Sequence, residues 1–276
     1  MQPIFSRTRR RRQRDRIAPG FGDHDFLRAA MVDGLAERLA SVKRSFADAL
    51  DLGCFDGSFP FPPGTRAARV DAGHRFANMA GGVQADEDAL PFADASFDLV
   101  VSAGVLDTVD DLPGALALAR RALRPDGLFL AAFLGAGSLA TLRAILREAE
   151  GERPAARLHP QIEVRAAGDL LVRAGFALPV ADGEPLSVRY ASFARLLSDV
   201  RGSGSGNLLA EVAPLSRETL ARLAAAFEAR RDADGRVTER FEIVTLTGWA
   251  PDASQPQPAR RGSATASLAA ALRVPE

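Results

Sequence analysis

Asp51-Leu52-Gly53-Cys54-Phe55-Asp56-Gly57 places an acid at the end of an apolar run and follows it with two glycines. Small residues in such a turn let the backbone approach a ligand, and the acid waits at the strand's carboxyl end to accept hydrogen bonds. That is the chemistry of a nucleotide-type loop. Asp71 lies 20 residues further on, closing Ala67-Ala68-Arg69-Val70-Asp71. At that spacing a carboxylate suits the diol of a ribose. Asp86 and Glu87 follow a third short apolar piece, and Ser102 closes Ser96-Phe97-Asp98-Leu99-Val100-Val101-Ser102.

Other chemistry is sparse. Cys54 is the only cysteine, which excludes an internal disulfide and any multi-cysteine metal site. No histidine neighbours it, so it reads as a small apolar loop residue rather than a nucleophile. His24, His74 and His159 are scattered without ligand spacing, and no metal site is expected. No residue declares itself catalytic. Tyr190 and Trp249, the only tyrosine and tryptophan, read as core or boundary aromatics.

The elements that must hold these groups alternate. Phe26, Leu27, Met31, Leu35, Leu39 and Val42 recur at helical spacing from Asp25, which is placed to cap that helix. The glycine-loop strand comes next. Pro60, Pro62 and Pro63 then leave the helix after the loop short or absent. Leu112 to Leu123 is helical, Pro125-Asp126-Gly127 is a turn, and Leu128 to Phe133 is a buried strand. Helices are expected at Ser138–Glu150, Gly168–Ala174, Tyr190–Val200 and Arg217–Arg230, with strands at Phe176–Val180 and Phe241–Thr247. The alternation argues for a doubly wound parallel sheet. Residues 1–23 read as a basic arm, 24–250 as the domain and 251–276 as a loosely ordered tail.

Lys+Arg and Asp+Glu balance at 35 each over 276 residues, so no global field favours nucleic acid. No apolar run reaches the length of a membrane span, and no secretory signal is expected. Arg7 to Arg16 nevertheless holds seven arginines and one acid. A solvated, helical leader is the plain expectation; a nucleic-acid arm, peripheral contact with an anionic membrane or docking to an acidic partner are the functional ones.

The Asp51 loop, Asp71, Asp86 with Leu90-Pro91-Phe92, Phe97 to Ser102, and Leu123-Arg124-Pro125-Asp126-Gly127-Leu128 fall in chain order. Together they resemble the core of the class I S-adenosylmethionine (SAM)-dependent methyltransferases. Arg9–Arg16, Asp110-Asp111-Leu112-Pro113-Gly114, Leu170–Pro179 and Thr247-Gly248-Trp249-Ala250-Pro251, with Ser254-Gln255 and Gly262-Ser263-Ala264, resemble more narrowly the mitochondrial complex I assembly factor 5 subfamily and its bacterial relatives. The malonyl-carrier-protein methyltransferases of biotin synthesis are the general neighbours.

The resemblance implies a Rossmann-like fold, a mostly parallel seven-stranded sheet with helices on both faces, and SAM as cofactor. It assigns Asp51, Gly53, Cys54 and Gly57 to the methionine-end loop and Asp71 to the ribose. Asp86 and Glu87 would border the adenine, and Ser102 the methionine. SAM offers an ammonium, a diol and an exocyclic amine, all donors that carboxylates accept. The implied activity is modification of a protein side chain, arginine, in complex I assembly, in the bacterial cytoplasm and peripherally at the inner membrane. A methyltransferase acting on a small molecule or an acyl-carrier protein, and a non-catalytic assembly chaperone with a decayed SAM site, are the alternatives. Phe55 departs from the pattern, standing where the family's middle glycine belongs. Its ring either points away from the ligand or partly closes the site.

Overall fold

Leu50, Leu52 and Val100 turn to one face of a sheet while Ala49, Leu99 and Val101 turn to the other. That period of two, apolar on both sides, is what a doubly covered sheet demands. The computed structural model describes residues 3–151 and 155–256. Strands β1 (Asp48–Leu52), β2 (Arg66–Asp71), β3 (Val83–Gln84), β4 (Phe97–Ala103), β5 (Leu123–Leu134), β6 (Ala177–Tyr190) and β7 (Val237–Trp249) form one sheet in the order β3-β2-β1-β4-β5-β7-β6. The first five run parallel and β7 is antiparallel to both neighbours. The expected mostly parallel, seven-stranded Rossmann-like fold is the one observed.

Helices α2 (Phe26–Ser41), α5 (Ala140–Glu150), α7 (Phe193–Gly202) and α8 (Arg217–Glu228) cover one face. Helices α4 (Leu112–Ala122) and α6 (Val164–Arg173) cover the other, with Phe76 of α3 (His74–Met79). The order of strands reverses between β1 and β4, and their carboxyl ends bound the crevice where such sheets take ligands.

Several expectations need correction. Asp25 makes no capping bond, although its residue does precede α2. β6 spans 14 residues rather than Phe176–Val180. It ends at Tyr190, so the next helix starts at Phe193. Gly183 and Pro185 disguise β6 in the sequence, and it tolerates the proline because it lies at the edge of the sheet. Between residues 56 and 65 no helix forms, as the prolines imply. The basic segment forms α1 (Arg7–Ile17), but the helix is not solvated: Arg10 and Arg14 are buried.

The segment Gly248-Trp249-Ala250 has a structural role. The Ala250 amide donates to Gly127 O at 2.8 Å, and Gln255 Nε2 donates to Ala250 O at 2.8 Å and Asp126 Oδ1 at 3.0 Å. The start of the tail is thus latched to the β5 turn; 257–276, with Gly262-Ser263-Ala264, lie outside the described residues.

One buried acid positions α5. Leu139 precedes that helix in the left-handed region and supplies no side-chain cap. Instead Glu239 of β7, wholly buried, accepts the amides of Thr141 at 3.0 Å and Leu142 at 2.7 Å. Glu239→Ala is expected to lose about 1–2 kcal/mol, as a lost helix cap does. Glu239→Gln, which keeps one acceptor, should lose less. Urea unfolding midpoints at unchanged slope check both.

Candidate functional site

The crevice at the strand ends holds the predicted acids, each placed by the strand it terminates. Asp51 on β1 is 1% exposed, and among the described residues its Oδ2 has no hydrogen-bond partner. Burial pushes its pKa up to about 6, with Arg28 and Arg69 opposing the shift. Asp71 ends β2 and is fully buried. Its Oδ1 accepts the Gly73 amide at 2.7 Å and its Oδ2 the Phe55 amide at 3.0 Å, so one carboxylate pins the glycine loop to the turn after β2. Asp86, Glu87 and Asp88 follow β3 as a row of acids.

Helix α1 lies across that row. Arg7, Arg10, Arg11 and Arg14 recur at helical spacing and so share one face. Arg14 grips Asp71 bidentately through Nε, at 2.7 Å, and Nη2. Arg10 grips Glu87 through Nη1 at 2.6 Å and Nη2 at 2.8 Å, and its Nε donates to Thr108 at 3.1 Å. Arg11 reaches Asp86 at 2.5 Å, and Arg7 joins Asp88 at 2.8 Å. Bidentate guanidinium–carboxylate pairs are among the strongest polar contacts. Burial works against the Arg10 charge, but Glu87 outweighs it and raises the pKa. Burial likewise works to raise Asp86, yet Arg11, Arg10 and Arg7 prevail and lower its pKa.

Phe55 closes the space that remains. It is held in the left-handed region at φ 50°, a conformation that costs a bulky residue about 1–2 kcal/mol. Its ring stacks on Phe21 at 4.7 Å and meets Phe76 edge-on at 5.1 Å. The Arg14 guanidinium lies 4.0 Å above the ring centroid and that of Arg28 4.8 Å away. These are cation–π distances. Of the two expectations for Phe55, the inward ring is the one realised. Arg28 also donates to Cys54 O at 3.1 Å and Ser58 Oγ at 2.8 Å. It thereby binds the loop to α2, and burial lowers its pKa.

The other predicted residues serve the scaffold. Gly53, at φ 76°, is required by packing: a Cβ there would lie 2.4 Å from Val105 Cγ2. Gly57 sits against Ala80. Ser102, wholly buried, donates its hydroxyl to Leu52 O at 2.8 Å. Cys54 is buried, and burial drives its thiol pKa far up, away from nucleophilic use. His24 pairs with Asp199 at 2.8 Å, His74 with Asn78 at 3.0 Å, and His159 stands 3.8 Å from Asp107. Tyr190 and Trp249 belong to the core and its border.

Composition and spacing of the acids suit SAM, and the orphaned Asp51 oxygen is an acceptor without a donor. The space does not. The cavity bounded by Arg10, Arg14, Phe21, Arg28, Phe55 and Gly104 holds about 30 Å³, room for a water or two. As arranged here, the residues do not fit the cofactor. Sequence reasoning missed Arg10, Arg14, Phe21 and Phe76 as site residues. The helical recurrence of Arg7, Arg10, Arg11 and Arg14 was the available signal.

Comparison with known proteins is consistent with the fold. The methyltransferase domain family matches residues 50–131. The arginine-hydroxylase NDUFAF5 of Danio rerio is 33% identical over 96% of this chain and 88% of its own length. A malonyl-[acyl-carrier protein] O-methyltransferase of Halorhodospira halophila is 32% identical over 87% of this chain and 86% of its own. The YcgJ protein of Bacillus subtilis superposes with a TM-score of 0.58 at 15% identity, over 80% of this chain and 99% of that one.

Two outcomes follow from the buried charges. The folded pKa of Asp51 lies above the ordinary carboxylate value, so the native state binds the extra proton and stability falls as pH rises from about 4 through 6. Asp51→Asn should therefore stabilise by about 2–3 kcal/mol at pH 7.5 and not at pH 4, as read in paired denaturant melts. Arg14→Ala strands a buried carboxylate and should cost about 3–5 kcal/mol. In the Asp71→Asn background the same change should cost less by about 1–3 kcal/mol, which a double-mutant cycle measures.

Proposed function

This chain belongs to the class I SAM-dependent methyltransferase superfamily, in the group of the arginine-hydroxylase NDUFAF5 and its bacterial relatives, and from that footing we propose that it is a SAM-binding enzyme modifying an arginine side chain of a protein during respiratory complex I assembly. The observation that carries the reading is the extent of the likeness. The Danio rerio arginine hydroxylase matches across 96% of this chain, far beyond the methyltransferase domain match at 50–131. The malonyl-[acyl-carrier protein] methyltransferase likeness keeps methyl transfer to a carrier-protein or small-molecule substrate as the enzymatic variant.

A protein substrate needs a surface, and one adjoins the closed site. Between α1 and α7 lies an open groove of about 920 Å³ lined by Arg9, Arg12, Arg16, Arg201, Ser198 and Asn207. It shares Gln13 and His24 with the small cavity. Arg9, Arg12 and Arg16 stand on the face of α1 turned away from the acids. The groove suits an acidic segment of the substrate protein. The proposed workplace is the bacterial cytoplasm, beside the inner membrane where complex I is built. Among the described residues no helix is long and apolar enough to cross a membrane.

Mass spectrometry of complex I subunits from cells with and without the gene tests the activity. An arginine carrying one added oxygen or one methyl should disappear with the gene. Its persistence would sink the proposal. Arg9→Glu with Arg12→Glu should shift stability by no more than about 0.5 kcal/mol, as surface changes do, yet lower the modified fraction several-fold.

A further inference from the structure

We propose that helix α1 is an intramolecular competitor of the cofactor, with Arg10 and Arg14 resident in the site, so that SAM enters only when the helix lifts away. The inference rests on the reading that this chain binds SAM. Three observations carry it.

The first is identity of acceptors. Asp71 and Glu87, the carboxylates assigned to the ribose and adenine edges, have both oxygens taken by guanidinium groups. Asp86 is taken by Arg11. Asp71, which also accepts the Phe55 and Gly73 amides, has no lone pair left for a further donor, and Arg10 lies across both oxygens of Glu87. The second is space: the remaining cavity of about 30 Å³ is an order of magnitude below the roughly 300 Å³ at which small-molecule sites begin.

The third is the nature of the attachment. The inward face of α1 is arginine, so the helix itself is held on the site by ion pairs rather than by an apolar stripe, while the residues before it are tied by the Phe5–Leu209 bridge and by Asp110, which must open with it. The pairs are graded by depth. Arg10–Glu87 and Arg14–Asp71 are buried, while Arg7 and Arg11 are half exposed and therefore open to screening by salt. At its carboxyl end the helix runs into a 3-10 segment (Ala18–Asp23) that breaks helical geometry at Gly20. Ala18 and Phe21 anchor that segment in the core, so a lift of α1 pivots ahead of Ala18.

Release exposes Asp71, Asp86 and Glu87 with their nearest cations withdrawn. Like charges at that density resist being left bare. The arm is thus exchanged for another cation rather than simply lost. SAM, with a sulfonium and an ammonium against one carboxylate, carries a net positive charge. S-adenosylhomocysteine lacks the sulfonium and is neutral. The open site should accordingly discriminate between them, which a site built on shape alone would not.

The test uses the full chain. Calorimetric titration with SAM should give an affinity at least tenfold higher for Arg10→Gln/Arg14→Gln than for the unmodified protein, with S-adenosylhomocysteine binding more weakly than SAM to both. Hydrogen–deuterium exchange of the unmodified protein needs no variant to fold. Amides of residues 7–17 should lose protection when SAM is added to saturation. Equal affinities with unchanged protection of α1 would show that arm and cofactor coexist, which overturns the competition and leaves the SAM reading standing. Absence of SAM binding in the unmodified chain, in the double variant and in that variant carrying Phe55→Gly, each folded by circular dichroism, would overturn both. Arm and Phe55 would then be permanent fillings of a scaffold.

Discussion

The bidentate pair between Arg14 and Asp71 is the contact on which the site depends. Asp71 is wholly buried and also receives the amides of Phe55 and Gly73. A carboxylate taken so far from water must be matched by charge and by hydrogen bonds, or it is protonated or the fold gives way. Arg14 supplies the charge and the loop supplies the amides. One interaction therefore joins the amino-terminal helix, the glycine loop of β1 and the turn after β2.

Asp51 shows the contrast a few ångströms along the chain of strands. It has the same residue type and the same strand-end position, but no guanidinium grips it and one oxygen is unpartnered. Its pKa rises to about 6 from burial. Two acids that look alike in sequence thus differ in their partners, and the difference is made by Arg14 of α1.

Phe55 belongs to the same economy of space. A glycine at that position would leave a hole under Arg14 and Arg28. The ring fills it and offers its face to both cations at 4.0 and 4.8 Å. Its left-handed backbone is tolerated because stacking on Phe21 and the edge-on contact with Phe76 over-determine the loop. The proline run that follows leaves the loop without the usual helix, and α2 takes over its support through Arg28.

Much of this protein was legible in the residues alone. Alternating apolar runs and helical periods specified the sheet and its layers, because burial of a strand or a helix face needs only local spacing to be read. The acids Asp51, Asp71, Asp86 and Glu87 were legible for the same reason: each lies at or just beyond the carboxyl end of a short apolar run. β6 was not, since its apolar pattern is interrupted by Gly183 and Pro185 and its pairing partner, β7, begins some fifty residues later. The role of the arm was hidden more deeply. A run of arginines in a chain of zero net charge reads as solvated, and its acidic partners lie between 57 and 81 residues away in the chain. Charges find one another through space rather than along sequence. The residue types of the site were set by the sequence; that they are already satisfied by the chain's own arginines was decided only when the helix folded over them.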